Sequence, residues 1–457
     1  MRRGGAFGRV LPLFAALFLF VPARAADDAS QRSSGELLGE ARRSAEVVPV
    51  PQNAGPIGLK VLAPTPGAKA ASAAGSVMLQ GFHWESHQAS PWWGVIASKA
   101  PDIGYSGFDL IWLPPSSAAM SDEGYLPNRW FVVDSKYGTA QQLKSAISAL
   151  RSNGTAALAD LVLNHRVGTK DWGDFTDPAW GPETVCKDDE WPQARGGRDT
   201  GMGYHAARDI DHNNPQVQRD VRTWMSWLKS ELGYSGWRYD FARGFGTDIL
   251  AGYDAAAGSA FSVVEVWDNL DTSNPDPHRQ ALADYIAATG GRVSAFDFTT
   301  KGVLQHAVGA GEYQRLRDSS GRPPGLVGWW PAKAVTFLDN HDTGASTGGS
   351  GQNLWPFPGD RVMEGYAYIL THPGVPCVYW PHFFDWGLHD PIRDLIWLRK
   401  NAGITATSSV AIQTAEYGRY AAVIDGKLAM KIGWLDWSPG PGWTLRAYGK
   451  NYAVWTR

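Results

Sequence analysis

Cysteine is nearly absent: the chain of 457 residues has two, Cys186 and Cys377. A disulfide scaffold is thereby excluded, and at most one bridge could form. Charge of either sign is not in excess. Lys and Arg together number 42 and Asp and Glu 45, a net charge of −3. That balance gives no hint of binding to nucleic acid or to an acidic membrane. Beyond the N-terminus no apolar run is long enough to span a bilayer. No Ser or Cys nucleophile motif is visible either. What the chain has in quantity is aromatic surface: 22 Trp, 16 Tyr and 17 Phe. A large core would use many of these. Sugar binding would use others, because the apolar face of a pyranose ring stacks on a flat aromatic. Composition alone does not choose between the two.

The N-terminus reads as a secretory signal. Arg2, Arg3 and Arg9 make a basic start, residues 10–21 are apolar, and Ala23-Arg24-Ala25 supplies a cleavage site. Secretion is the expectation, with a plastid transit peptide or an uncleaved anchor as alternatives. Residues 26–75 are rich in Ala, Gly, Pro and Ser and read as a leader or linker, with a short helical piece near 35–45.

From residue 77 the pattern changes. Short β-rich apolar runs recur at 77–82, 110–114, 157–163, 236–241, 261–266, 293–298, 334–338 and 375–379. Amphipathic stretches such as 140–151, 216–232, 278–288 and 360–371 separate them. Eight strands alternating with helices predict an α/β fold, a (β/α)8 barrel, here over 76–402. The stretch at about 166–211 has little periodicity and reads as a small domain inserted after the third strand. Over 403–457 short alternating segments predict an antiparallel β domain of about five strands.

In such a barrel chemistry lies where strands end. Four acids fall there. Asp160 is in Ala-Asp-Leu-Val-Leu-Asn-His, Asp240 in Gly-Trp-Arg-Tyr-Asp-Phe, Glu265 in Val-Val-Glu-Val-Trp, and Asp342 in Leu-Asp-Asn-His-Asp-Thr. A carboxylate in an apolar strand is costly unless paired or functional. Convergent carboxylates without a Ser or Cys nucleophile point to glycoside hydrolysis, one ionised to attack and one protonated to donate. Arg238 shares a strand face with Asp240 because the side-chain period is two, and its charge would keep Asp240 ionised. Glu265 would need its pKa raised, by apolar burial against neighbours such as Trp267. His165 and His341 each abut an acidic segment and suit hydrogen bonds to sugar hydroxyls.

These segments, 160–165, 236–240, 263–267 and 337–342, resemble the four signature regions of family 13 glycoside hydrolases. More closely, the chain resembles plant-type α-amylases from about Gln80 to its end. Specific stretches are Gln80-Gly81-Phe82-His83-Trp84-Glu85-Ser86, Glu123-Gly124-Tyr125-Leu126-Pro127, Ser135-Lys136-Tyr137-Gly138, Phe298-Thr299-Thr300-Lys301-Gly302 and Gly328-Trp329-Trp330-Pro331-Ala332-Lys333. The resemblance implies an endo-acting, retaining enzyme on α-1,4 bonds of starch and maltooligosaccharides. It implies Asp240 as nucleophile, Glu265 as general acid/base and Asp342 as the third acid. Arg238, His165 and His341 are the implied partners, and Tyr125 and Trp84 line the cleft. Trp329 and Trp330 match a surface starch site. Calcium is the implied cofactor, on Asn164, Asp199 and Asp209 with the carbonyls of Met202 and Gly244. A second ion is implied at Asp189, with Tyr204, Ala207 and Asp209. A further calcium cluster in the loop after His165 is not visible and is expected to be absent. A monomer without nucleic-acid or membrane partners is expected. Residues 346–352 look like a Gly/Ser insertion beside Asp342, and Asn128-Arg129-Trp130 departs from the family pattern.

Overall fold

A computed structural model describes residues 75–89, 91–346, 349 and 351–457. The signal, most of the leader and the short helix expected near 35–45 lie outside the described residues.

Eight parallel strands close into a barrel: β1 (Met78–Gln80), β2 (Leu110–Trp112), β3 (Ala156–Leu161), β4 (Gly236–Tyr239), β5 (Ser262–Val264), β6 (Ser294–Phe296), β7 (Ala334–Phe337) and β8 (Val375–Tyr379). Each is followed by a main helix: α1 (Trp92–Ser106), α2 (Ala140–Ser152), α3 (Pro215–Trp227), α4 (Thr247–Ala257), α5 (Asp276–Ala288), α6 (Phe298–Ala310), α7 (Val362–Thr371) and α8 (His389–Asn401), and a one-turn helix at Leu326–Trp329 precedes β7. The predicted barrel is present. Seven of the eight apolar runs pass the end of their strand by one or two residues, because the chain stays apolar as it leaves the barrel and enters the loops that carry the chemistry; the eighth, 375–379, matches its strand.

Local signals fix the helix starts. Thr139 caps α2, accepting from Gln142 N, while Gln142 Oε1 accepts from Thr139 N at 2.8 Å. Asn214 caps α3 with Pro215 as its first residue. Asp297 caps α6 through Thr300 N at 2.9 Å. The strand interiors are buried on both faces, which explains their continuous apolar runs.

Between β3 and α3 the chain makes a long excursion. Its only regular piece of sheet is a two-residue ribbon pairing His165–Arg166 with Arg208–Asp209. Arg166 is fully buried there and holds the excursion to the rim through the carbonyls of Asn128 (2.7 Å), Thr176 (2.8 Å) and Pro178 (3.1 Å). Trp130, from the segment that departs from the family pattern, is also buried, stacked on Trp224 of α3 at 4.8 Å. It therefore acts as core and not as cleft surface.

The last five strands, β9 (Val410–Glu416), β10 (Arg419–Ile424), β11 (Leu428–Ile432), β12 (Thr444–Gly449) and β13 (Tyr452–Thr456), form an antiparallel sheet in the order β9-β10-β11-β13-β12. Buried polar pairs join it to the barrel. His372 Nε2 lies 2.8 Å from Tyr420 Oη, and the buried Glu364 of α7 accepts from Asn451 Nδ2 (3.0 Å) and Gly433 N (3.2 Å).

Candidate active site at the barrel mouth

Strand register brings the first charged pair together. Asp160 of β3 is the direct neighbour of Arg238 on β4. Arg238 is completely buried. Its Nη1 donates to Asp160 Oδ1 at 2.7 Å and to Asp240 Oδ1 at 2.6 Å. Nη2 lies 2.8 Å from Glu265 Oε1, a charge contact without hydrogen-bond alignment. One guanidinium thus faces three carboxylates from three consecutive strands. The ring of Trp112 lies against it, with the guanidinium carbon 4.7 Å from the ring centre.

Asp160 is tied down further by Trp112 Nε1 (3.0 Å) and Tyr125 Oη (2.8 Å). Every strong donor around it is occupied, so it anchors Arg238 and Tyr125. Asp240 and Glu265 are more open, with side chains 12% and 11% exposed, against none for Asp160. Directly after Asp240 the backbone turns through Phe241 in the left-handed region (φ 40°), which is rare for a bulky residue. That turn aims Phe241 N at Glu265 Oε2, 3.2 Å away.

Asp342 follows β7 on a tight turn in which Asn340 Oδ1 accepts from Asp342 N (3.1 Å) and Thr343 N (2.9 Å). His341 beside it has Nδ1 3.1 Å from Gln80 Nε2 and Nε2 3.5 Å from Asp342 Oδ2. The rings of Trp84, Tyr125 and His341 lie nearly parallel, with centres 5.1–6.1 Å apart. His165 stacks on Tyr204 at 3.9 Å and places Nε2 2.9 Å from the carbonyl of Tyr125.

Four acids around one arginine cannot all ionise cheaply in a buried site. Burial pushes Asp160 up to about 7, against the pull of Arg238. Burial also raises Glu265, and the charge of Asp240 adds to that rise. Asp342 is held well above the usual carboxylate range by burial and then by Glu265. Burial raises Asp240 too, but Arg238 opposes it strongly and a hydrogen bond from Glu265 favours its ionised form. Burial lowers His165 to about 4 and His341 well below its ordinary value, so both imidazoles are neutral.

The structure therefore brings together Asp240, Glu265, Asp342, Arg238, His165, His341, Tyr125 and Trp84. Trp329 and Trp330 lie elsewhere, on the barrel's outer flank. Trp329 is 36% exposed, and the guanidinium of Arg279 from α5 sits 3.7 Å from its ring centre. Sequence reasoning gave no role to Gln80, Trp112 or the anchoring function of Asp160. Gln80 had a signal, as the polar residue in an apolar strand; Trp112 had none.

The residues expected to hold calcium lie where the excursion returns to the barrel. Asn164 Nδ2 donates to Asp209 Oδ1 at 3.0 Å, and Tyr204 N donates to the same carboxylate at 2.9 Å. Met202 N donates to Arg243 O at 2.9 Å. A Cβ on Gly244 would overlap Asn164 Oδ1, and one on Gly201 would overlap the backbone of Arg243 and Gly244. Only glycine fits at these approaches. Asp189 accepts from Asp209 N (3.0 Å), and Ala207 is buried beside the ribbon. Asp209 is pushed up to about 7 by burial, with the charges of Asp199 and Asp189 adding. Among the described residues no three His, Cys, Asp or Glu side chains form a metal cluster by themselves. The donor set is mixed, with carboxylate, amide and carbonyl oxygens, as calcium prefers.

Comparison with known proteins identifies the family. Residues 91–188 match the model of the α-amylase catalytic domain, and residues 401–456 that of the α-amylase C-terminal β-sheet domain. A probable α-amylase 2 of Arabidopsis thaliana is 44% identical over 392 residues, covering 83% of this chain and 93% of the relative. The chloroplastic α-amylase 3 of the same plant is 40% identical, covering 87% of this chain and 46% of that longer protein. Among solved structures, an Anoxybacillus α-amylase superposes with a TM-score of 0.60 at 18% identity, covering 84% of this chain and 96% of that one; it shows the shared fold alone.

Proposed function

This chain belongs to the α-amylase family of glycoside hydrolases, and from that premise we propose how its barrel mouth cleaves internal α-1,4 bonds of starch. The observation that carries the reading is Arg238, one buried cation shared by Asp240 and Glu265. A carboxyl pair held on a single guanidinium suits the close spacing of a retaining enzyme, about 5–5.5 Å. Inverting enzymes keep about 6.5–9.5 Å to admit a water.

Asp240 is the nucleophile. Arg238 holds it ionised, and its oxygen attacks the anomeric carbon. Glu265, kept protonated by burial and by its neighbour's charge, donates its proton to the glycosidic oxygen as that bond breaks. The sugar is then an ester of Asp240. Glu265, now ionised, takes a proton from water; the hydroxide attacks the same carbon and frees Asp240. Asp342 and the neutral His341 and His165 bind the ring hydroxyls. The parallel rings of Trp84 and Tyr125 offer the flat surface on which a sugar rests.

Calcium is assigned to Asn164, Asp199 and Asp209 with the carbonyls of Met202 and Gly244, and a second ion to Asp189, Tyr204, Ala207 and Asp209. There it would neutralise the acidic loop and clamp it to the barrel, outside the reacting atoms. Trp329 and Trp330 are assigned to starch-surface binding. The basic start, apolar run and A-x-A site at the N-terminus support secretion; the chloroplastic relative keeps a plastid as the alternative. The test is release of reducing ends from soluble starch, with products resolved by length. A mixed ladder with rapid viscosity loss is expected. No release would refute the reading, and one dominant product would replace internal cleavage by a fixed-length mode.

A further inference from the structure

Helix α6 buries a charge. Lys301 has no exposed surface. Its Nζ donates to Gln305 Oε1 at 2.6 Å and to the carbonyl of Trp355 at 2.8 Å, and it lies 3.3 Å from Asp339 Oδ1. The ammonium also sits 4.5 Å from the centre of the Trp355 ring. A buried ammonium is costly unless its donors are satisfied, so the identity of these partners is informative.

Two of them mark the two ends of one loop, the connection from β7 to α7. Asp339 stands at its start, three residues before Asp342. It accepts from Phe357 N at 3.0 Å and lies 3.5 Å from Thr343 Oγ1 and 3.4 Å from His382 Nε2. Trp355 and Phe357 stand at its far end. Backbone bonds run between the same two ends, from Asn353 N to Asp342 O (3.1 Å) and from Trp355 N to Thr343 O (3.0 Å). The base of the loop is thus stapled shut from beneath by Lys301.

The staple also sets a wall. The Trp355 ring lies so close to α6 that a Cβ on Gly302 would stand 2.8 Å from it. Beside it opens a pocket of about 690 Å³, lined by Trp267, Asp268, Gln305, His306 and Trp355 among others. Trp355 N donates to the carbonyl of Thr343 at 3.0 Å, so this wall of the pocket is bonded to the loop that carries Asp342. Two indole rings with polar side chains between them make a surface for a sugar ring.

We propose that Lys301 is a positioning residue: it holds Trp355 in place as the wall of a glucosyl-binding pocket beside the loop that carries Asp342. This rests on the glucan-cleaving function given above. Lys301 never reaches the substrate; it acts through Trp355. An apolar residue of equal length would leave the Asp339 carboxylate without its cation and the Trp355 carbonyl without the ammonium that donates to it.

The test is a double-mutant cycle in the full chain, with kcat and KM measured separately for soluble starch and for a short chromogenic maltoside. Lys301→Met is expected to raise KM for starch about tenfold. Its kcat on either substrate should stay within about threefold. Trp355→Ala should give the same split, and the double variant should lose little more than either single one, because both remove one wall. Asp339→Asn keeps the shape and weakens the staple; it should show the same split at about threefold and serves if Lys301→Met does not fold. Additive losses in the cycle, or equal losses of kcat on both substrates, would overturn the proposal. Wild-type protein that releases no reducing ends would instead sink the glucan-cleaving function itself, so the two failures are distinguishable.

Discussion

Two acidic clusters sit within one barrel rim, and they solve the same electrostatic problem differently. At the mouth, Asp160, Asp240, Glu265 and Asp342 gather around a fully buried Arg238. In the inserted loop, Asp199 and Asp209 are raised by burial and by neighbouring carboxylates. There the nearby cation is the half-buried Arg208, and it serves Asp189 and Glu190 at 3.4 and 3.2 Å. The mouth carries its own counter-ion, which can hold one acid ionised while its neighbour keeps a proton. The loop has no fully buried cation of that kind among the described residues; its carboxylates accept from amide N–H groups, and the calcium proposed there would supply the missing charge. A fixed internal cation differentiates acids; a bound external one only neutralises them.

The largest break in this contrast should come from the differentiated pair. Asp240→Asn is expected to lower kcat on starch by about four orders of magnitude or more, with starch binding retained, since it removes the attacking oxygen and almost no volume. Glu265→Gln should cost about 10²–10⁴-fold, the usual range for a general acid. The pH dependence has a definite sign. Glu265 must be protonated, and its pKa is raised, so kcat/KM should persist above the ordinary glutamate range and fall as pH rises through that value. A rate that rises across the same window would contradict the assignment.

Removing the internal cation comes next. Arg238→Met leaves three buried carboxylates without their partner and should destabilise the fold by about 3–5 kcal/mol, read from denaturant unfolding. The external cation should matter somewhat less. An ion bound only by the folded state at a hundredfold excess over its Kd adds about 2.7 kcal/mol. Chelation should therefore lower the melting temperature by several degrees, and Asp209→Asn should abolish most of calcium's effect. An unchanged melting temperature after thorough chelation would count against the metal site.

A third buried group gives a control outside both acidic clusters. His372, between barrel and C-terminal sheet, is lowered to about 3 by burial. Below pH about 6.5 the unfolded chain takes up a proton that the folded one refuses until about pH 3. Stability should thus fall with pH in that window by about 1.4 kcal/mol per unit from this group, and His372→Gln should flatten that part of the slope.

Much of this was legible in the sequence. All eight barrel strands and all five strands of the terminal sheet announced themselves as apolar or alternating runs. The placement of Arg238 beside Asp240 followed from the two-residue period of a strand. What stayed hidden has no local pattern. Trp112 reads as one more apolar strand residue, yet its indole N–H helps fix Asp160. Lys301 sits in a stretch recognised as distinctive, but its partners Asp339 and Trp355 are 38 and 54 residues away. Phe241 carries the left-handed turn after Asp240, where sequence alone would have asked for glycine or asparagine.

The central claim is that Asp240 alone among the four acids becomes the covalent partner of the sugar. A fluorinated maltosyl donor that forms the glycosyl-enzyme but hydrolyses slowly would trap it, and peptide mass spectrometry would locate the label. Label on Asp240, absent from the Asp240→Asn variant, is the predicted result. Label on Glu265, Asp342 or Asp160 would contradict the account.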